Sequence, residues 1–412
     1  MSITCGIDWA EAHHDVALVD DVGATVAKKR IDTGLKGFSE LMALIAEHGG
    51  EPDKVPVAVE TDKNLIVVAL MAAGFTVYPI NPRAVARYRE RHGQAGGKSD
   101  PGDAIVLAHI LRTDCHHHRP MPAISETALA VKVLARQHQE AIWARQHTVN
   151  RLRSVLVEFY PNALTAFPNL THRAALTILA VVPSPDRAAQ LTVKKTVALL
   201  RRCGRGDRAG LAEWIVHDLG AATLRQPPAV EQALATATVG LVAIIATSET
   251  VIADLEAAMA AEFNRHPQAE LLRGPPGLGP ILAARVLAEV GDDPHRFATA
   301  GGLCAFAGTA PITRASGRTK TVNARRVRNR RLGDACHWWA FAALTKSPGA
   351  RAHYDHRRAI GDHHNAALRN LANKLLGRLW WCLVNNQTWN ENTAWPTSTT
   401  PQPTLPLDNP PA

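Results

Sequence analysis

The chain has no C-x-x-C pair, and its six cysteines (Cys5, Cys115, Cys203, Cys304, Cys336 and Cys382) are scattered over 412 residues. That spacing supports neither a zinc ribbon nor a disulfide framework. With no signal peptide at the start, free thiols in a reducing cytoplasm are expected. Cys115-His-His-His-Arg119 is the densest run of potential ligands. Adjacent side chains cannot all face one ion, and no second Cys/His cluster follows at zinc spacing, so the run reads as a polar loop. Long apolar runs are missing as well. Leu65–Phe75 is the longest; it is too short for a bilayer and suits a core helix, so no membrane partner is expected. Acids are scarce in one region: Gly301–Asn390 carries 15 Lys and Arg against Asp334, Asp355 and Asp362. That excess of twelve is larger than the net +9 of the whole chain, so the remainder is slightly acidic. A basic patch confined to one segment favours a polyanion through counterion release.

What is present organises into several parts. The length suffices for two or three domains with their own cores. In residues 1–124 the patterns alternate. Strands are expected at Ile3–Trp9, His14–Val19, Thr25–Ile31, Val55–Glu60 and Thr76–Ile80. Helices are expected at Gly37–His48, Leu65–Ala73, Pro82–Arg91 and Pro101–Leu111. Three strands followed by alternating helices and strands is the element order of an RNase H-like (RuvC-like) α/β domain. Residues 125–267 read as a coiled-coil helical arm. Its two long helices, Ser125–Tyr160 and Ala229–Phe263, carry apolar stripes and enclose an insert, 161–228, with a basic helix near Lys194–Arg202. Residues 268–390 read as a helical C-terminal domain with a loop around Ser316. Residues 391–412, rich in Pro and Thr, read as a disordered tail.

The chemistry concentrates in carboxylates and one serine. Asp8 ends the first strand, and Glu60 ends a strand that lies beside it in this topology. Asp100 and Asp103 share a face of a helix's first turn. Four hard oxygen donors around one pocket are what two-metal phosphoryl transfer needs. Asp100-Pro-Gly-Asp103 also reads as a helix N-cap with proline at the first helical position, and the two readings are compatible. Asp15, Asp20, Asp21 and Asp62 read as surface acids. Gly277-Leu-Gly279, between helical segments, resembles the hairpin of a helix-hairpin-helix motif, where backbone amides meet a phosphate. Ser316 lies between Arg314 and Arg318, with Lys320, Arg325, Arg326, Arg328, Arg330 and Arg331 following. A serine attacks phosphorus only where cations meet the phosphoryl charge, and these residues supply them. No carboxylate or histidine lies between Gly308 and Leu332, so a proton acceptor for the serine must come from elsewhere. Read without context, Ser316-Gly317 also fits a plain turn.

Several motifs together resemble the insertion sequence 110 family of transposases, the DEDD enzymes described as bridge-RNA-guided recombinases. They are Gly6-Ile-Asp8-Trp, Val57-Ala-Val-Glu60, Asn81-Pro82, Lys98-Ser-Asp100-Pro-Gly-Asp103-Ala, Pro276-Gly-Leu-Gly-Pro280, Phe306-Ala-Gly308, Pro311, Ser316-Gly317 and Gly361–Leu379. The resemblance implies that Asp8, Glu60, Asp100 and Asp103 bind Mg²⁺. It implies that Ser316 forms a covalent phosphoserine link to DNA, in a composite site assembled from two protomers of a dimer or tetramer. It also implies donor and target DNA and a noncoding bridge RNA as partners. The chain departs from the family in Thr61-Asp62-Lys63 after the glutamate and in the density of arginine up to Arg331. Two other readings remain open: a RuvC-like metal-dependent nuclease or junction resolvase with a structural serine, and a nucleic-acid-binding protein without turnover.

Overall fold

In a computed structural model the described residues are 2–92, 100–204 and 210–396, with the side chains of 92, 100 and 101 also outside the description. They divide into two compact units meeting at Ala123/Ile124.

The first unit is mixed α/β. Its strands are β1 Ile3–Trp9, β2 His13–Asp20, β3 Thr25–Asp32, β4 Val57–Val59 and β5 Val77–Pro79, and its helices are α1 Leu35–Glu47, α2 Leu65–Ala72, α3 Pro82–His92 and α4 Asp100–Asp114. The sheet order is β3-β2-β1-β4-β5. β1, β2 and β3 form an antiparallel meander, while β4 and β5 run parallel to β1. Alternation along the strands sorts the two faces. Ile3, Cys5, Ile7, Val57 and Val59 pack with Leu41, Ile45, Ile66 and Leu70 of α1 and α2. Ala58 and Ile80 lie on the other side, against Leu107, Ile110 and Leu111 of α4. Gly6 is on that second face. A Cβ there would collide with the Ala104 carbonyl and the Ala108 amide nitrogen, so only glycine lets α4 cross β1 this closely.

The second unit is helical apart from one hairpin. Helices α5 Glu126–Phe159 and α11 Pro228–Arg265 form a long antiparallel pair. Between them lie α6 Asn162–Ala166, α7 Arg173–Leu179, α8 Pro185–Ala189, α9 Val193–Arg202 and α10 Leu211–Gly220. After the arm come α12 Ala269–Arg273, α13 Pro280–Val290, α14 Ala300–Ala307, the hairpin β6 Ile312–Ser316 and β7 Thr319–Asn323, α15 Arg330–Ala343, α16 Pro348–Ala359, α17 His364–Asn385 and α18 Glu391–Ala394.

The arm has two cores. Leu152, Leu156, Leu241 and Ile245 pack with the insert, whereas Val131, Ala135, Met259 and Phe263 join the C-terminal helices. The arm and the C-terminal helices therefore belong to one unit. The stripe Leu241, Ile245, Ile252 and Met259 is buried within the chain. An 18-residue window of α11 averages a hydropathy of 1.7, long and apolar enough by length and composition to cross a membrane, and a third of that window is buried within the chain.

Two further expectations change. Ser316 lies in a β-hairpin, not an irregular loop. The tail expected from residue 391 has structure as far as 396: α18 is helical, Ala394 is buried, and Trp395 lies against Gly349.

Candidate active site and nucleic-acid interface

Register places the first two carboxylates side by side. Ile7 pairs with Val59 across β1 and β4, so Asp8 and Glu60 are each one step further, at the carboxyl ends of adjacent parallel strands. Both alternate with residues on the α4 face, Asp8 with Gly6 and Glu60 with Ala58. Carboxyl ends of parallel strands are where ligands approach α/β sheets. Just after Glu60, the Thr61 hydroxyl donates to the Lys63 carbonyl (2.8 Å) and accepts from the Lys63 amide (3.0 Å), tying down the residues that depart from the family pattern.

Helix α4 brings Asp103 to the same face. Asp103 directly precedes Ala104, whose carbonyl lies over Gly6, and it is buried at 5% exposure. Its carboxylate forms an ion pair with Arg89 of α3. Asp100 is the first residue of α4, and its side chain, with the capping and ligand roles expected of it, lies outside the described residues. Among the described residues no three acidic, histidine or cysteine side chains converge closely enough to hold an ion. Asp8, Glu60 and Asp103 offer hard oxygen, the donor type that suits Mg²⁺, but the Asp103 carboxylate is directed to Arg89.

Asp15 and Asp20, read from the sequence as surface acids, are buried at 5% and 3% exposure. Asp20 accepts from the Ala24 amide (2.7 Å) in the β2–β3 turn. Asp15 is directly opposite Asp8 and is gripped by Arg30 from β3. Burial of an acid at a strand position is set by its cross-strand partner, and sequence shows no pairing between residues 15 apart.

In the second unit Ser316 pairs with Thr319 at the end of the β6–β7 ladder, flanking a Gly317-Arg318 turn with a positive φ at Gly317. Glycine at the first central position is what a two-residue hairpin turn favours. Ser316 is exposed. Alternation puts Arg314 on its face and Lys320 on the opposite one. Ile312, Arg314, Arg325 and Arg326 line a cavity of about 350 Å³ at the hairpin's base. Arg314, Arg318, Lys320, Arg325 and Arg326 make no ion pair with another described residue. Arg331 differs: it pairs with Glu140 and lies over the Trp143 ring, so it is committed within the fold.

Asn329 carried no signal in the sequence, yet it anchors this region. Its Oδ1 accepts from the Leu332 amide (2.9 Å), capping α15, while its Nδ2 donates to Glu289 (2.7 Å) and its backbone amide to the Phe306 carbonyl (2.8 Å). Glu289 also receives both Nε and Nη2 of Arg136 at 2.8 and 3.0 Å. Burial would raise its pKa, but the Arg136 and Asn329 hydrogen bonds outweigh that and hold the carboxyl below its ordinary range.

Gly277 has a packing role. Its φ is +79°, and a Cβ would lie 2.6 Å from the Ala343 amide nitrogen at the end of α15. The backbone approach its missing side chain permits is to this helix. Gly279, at the start of α13, is exposed with open space around it.

A DEDD transposase profile of the IS110 group matches residues 5–161, and one described as Transposase IS116/IS110/IS902 family matches residues 269–355. The chain belongs to the IS110/IS116 family of transposases. It is 48% identical over 401 residues to the mini-circle putative transposase for IS117 of Streptomyces coelicolor, covering 96% of this chain and 97% of that protein. The IS900 uncharacterized 42 kDa protein of Mycobacterium paratuberculosis is 28% identical, covering 95% and 98%. The IS110 uncharacterized 43.6 kDa protein of S. coelicolor is 31% identical over 72% of each chain. Among solved structures, T. thermophilus RuvC in complex with a Holliday junction substrate matches 29% of this chain and 100% of that one, at 17% identity and a TM-score of 0.23. That score is too low to assign a fold. The transposase thus has its two profile matches over the carboxylate unit with the first arm helix, and over the serine region.

Proposed function

We propose that this transposase catalyses RNA-guided, site-specific strand exchange of an insertion element through a phosphoserine–DNA intermediate. The observation that carries the reading is the placement of Asp8 and Glu60 beside each other at parallel strand ends, on the face where α4 begins and Asp103 is buried. The strand order β3-β2-β1-β4-β5, with an antiparallel meander leading into parallel strands, supports an RNase H-like reading of the unit.

Asp8, Glu60, Asp100 and Asp103 would hold Mg²⁺, which when bound supplies Lewis-acid compensation of phosphoryl charge. Arg89 meets the Asp103 charge otherwise. Ser316 forms a bond from Oγ to phosphorus while the bond from phosphorus to the leaving sugar oxygen breaks, and that oxygen takes up a proton. The Oγ proton passes to the carboxylate centre, since the hairpin offers no base of its own. Arg314 and Arg318 neutralise the phosphate. A hydroxyl of the exchanging strand then attacks the phosphoserine and restores Ser316. Bridge RNA supplies sequence recognition by base pairing with donor and target, and the basic C-terminal region contacts backbone. Recombining two duplexes needs more than one copy of the chain, so a dimer or tetramer is part of the reading.

The test is incubation with RNA, donor and target DNA and Mg²⁺, followed by a denaturing gel. A protein–DNA adduct is expected from the natural chain and from neither Ser316→Ala nor Asp100→Ala. Strand exchange by Ser316→Ala at the unmodified rate would overturn the serine mechanism. Metal-dependent nicking without an adduct would leave a plain nuclease.

A further inference from the structure

Three guanidinium groups of the second unit, Arg328, Arg330 and Arg369, line one cavity of about 440 Å³. None makes an ion pair with another described residue, whereas Arg136 pairs with Glu289, Arg285 with Asp334, Arg331 with Glu140 and Arg357 with Asp362. Asp334 also lines the cavity, but its carboxylate is already met by Arg285 Nη2 at 2.5 Å and Gln139 Nε2 at 3.0 Å. Three uncompensated cations around one concave site repel each other, and a phosphate relieves that repulsion. The site is built into the fold. The stem of Arg328 lies against Gly308, where a Cβ would collide with it, and Asn329 next door is fixed by its three hydrogen bonds. His337 completes the wall, and burial lowers its pKa against the pull of the Asp334 charge.

A second cavity, about 570 Å³, shares Trp143 and Arg330 with the first and continues along α5 past Gln146 and Asn150. Trp143 thus stands between a cationic chamber and a polar one lined by Gln146, His147, Asn150 and Glu140, the last paired with Arg331, which lies over the Trp143 ring at 5.5 Å.

We propose that these adjoining cavities bind one unpaired nucleotide of a nucleic-acid strand, its phosphodiester among Arg328, Arg330 and Arg369 and its base on Trp143, with edges towards Gln146 and Asn150, whose side chains hydrogen-bond each other at 3.0 Å and keep further donors and acceptors for a base. The inference rests on the reading of the protein as a nucleic-acid enzyme and adds to it a site for a splayed nucleotide. The chambers have the size of small-ligand sites, and a base reaches such a chamber only when unstacked. Stacking on an aromatic ring and hydrogen bonding of base edges are how unpaired strands are held. DNA and RNA strands share this chemistry, and the two are separated by the test.

The test measures fluorescence anisotropy of labelled oligonucleotides of about 20 nucleotides, enough to exceed a typical single-strand site. Single-stranded DNA, single-stranded RNA and blunt duplex of one sequence are titrated with the full chain across a salt series. Arg369→Ala should weaken single-strand binding about tenfold and reduce the slope of log affinity against log salt by about 0.7, the loss of one phosphate contact. Arg369→Lys should keep the slope. Trp143→Ala should weaken binding about tenfold with the slope unchanged, and Trp143→Phe should restore most of it. Duplex affinity should be unchanged throughout, and the strand type showing the larger loss identifies the source of the nucleotide. Thermal melting checks that each variant is folded. Folded Arg369→Ala and Trp143→Ala proteins that bind single strands like the natural chain would overturn the pocket alone. A natural chain that binds no nucleic acid at all would overturn the enzyme reading with it.

Discussion

Asp15 stands directly opposite Asp8 in the β1–β2 ladder, and both Nε and Nη2 of Arg30 hold its carboxylate, at 3.1 and 2.9 Å. Directly opposed residues of antiparallel strands share a face, so two acids lie side by side and Arg30 neutralises one of them. Arg30→Ala should therefore leave Asp15 buried and short of a partner, destabilising the unit by about 1–3 kcal/mol. Asp15→Asn with Arg30→Ala should cost less than Arg30→Ala alone. Denaturant unfolding of the three variants measures the coupling; additive losses would show that the pair does no such work.

Arg89 and Mg²⁺ should compete for Asp103. Mg²⁺ that binds only the folded chain stabilises it by mass action, about 2.7 kcal/mol at a hundredfold excess over Kd. Arg89→Ala should lower the melting temperature in EDTA and enlarge the upward shift on adding Mg²⁺. Asp103→Asn should remove most of that shift. Equal shifts in all three proteins would place the ion elsewhere.

Glu289 ties α5, α13 and the arginine segment together through Arg136 and Asn329. Glu289→Ala leaves Arg136 without its partner and should cost about 3–5 kcal/mol. The pH dependence follows from the lowered folded pKa. This contribution is present above the ordinary glutamate value of 4.5 and is lost as pH falls below it, through the lower folded value. Thermal melts between neutral pH and the acid limb should converge for natural and Glu289→Gln chains as pH falls. A gap that persists unchanged would contradict the assignment.

Self-association through the arm should use the outward face of α11. The stripe carrying Ile252 is buried inside the chain, whereas Ile244 and Val251 are exposed at 54% and 44%. Those two residues lie seven apart, close to two helical turns, and so share a face. Replacing both with Asp should dissociate oligomers while the melting temperature changes little. Ile252→Asp should instead unfold the arm. Light scattering reads the outcome; oligomers that survive the double substitution would rule out this face.

The sequence by itself determined the local elements and the placement of the acids along the chain. An apolar run marked β1 as a buried strand, alternation and the turn at Asp20–Gly23 marked β2 and β3, and period-three-and-four apolar steps marked α5 and α11 within a few residues of their observed ends. These signals are local, because a strand or helix buries its face with its own spacing. Tertiary structure decided which polar groups are spent inside the fold. Asp15 and Asp20 are buried because Arg30 and the Ala24 amide receive them; Gly277 is glycine because α15 approaches it; Arg331 is tied to Glu140, 191 positions away. Arg328 and Arg330 look like Arg331 in the sequence, but they face a cavity whose one carboxylate, Asp334, is held by Arg285 and Gln139. Charge alone gives each arginine the same appetite for an anion. Only packing settles whether the chain supplies that anion or leaves the place for a phosphate.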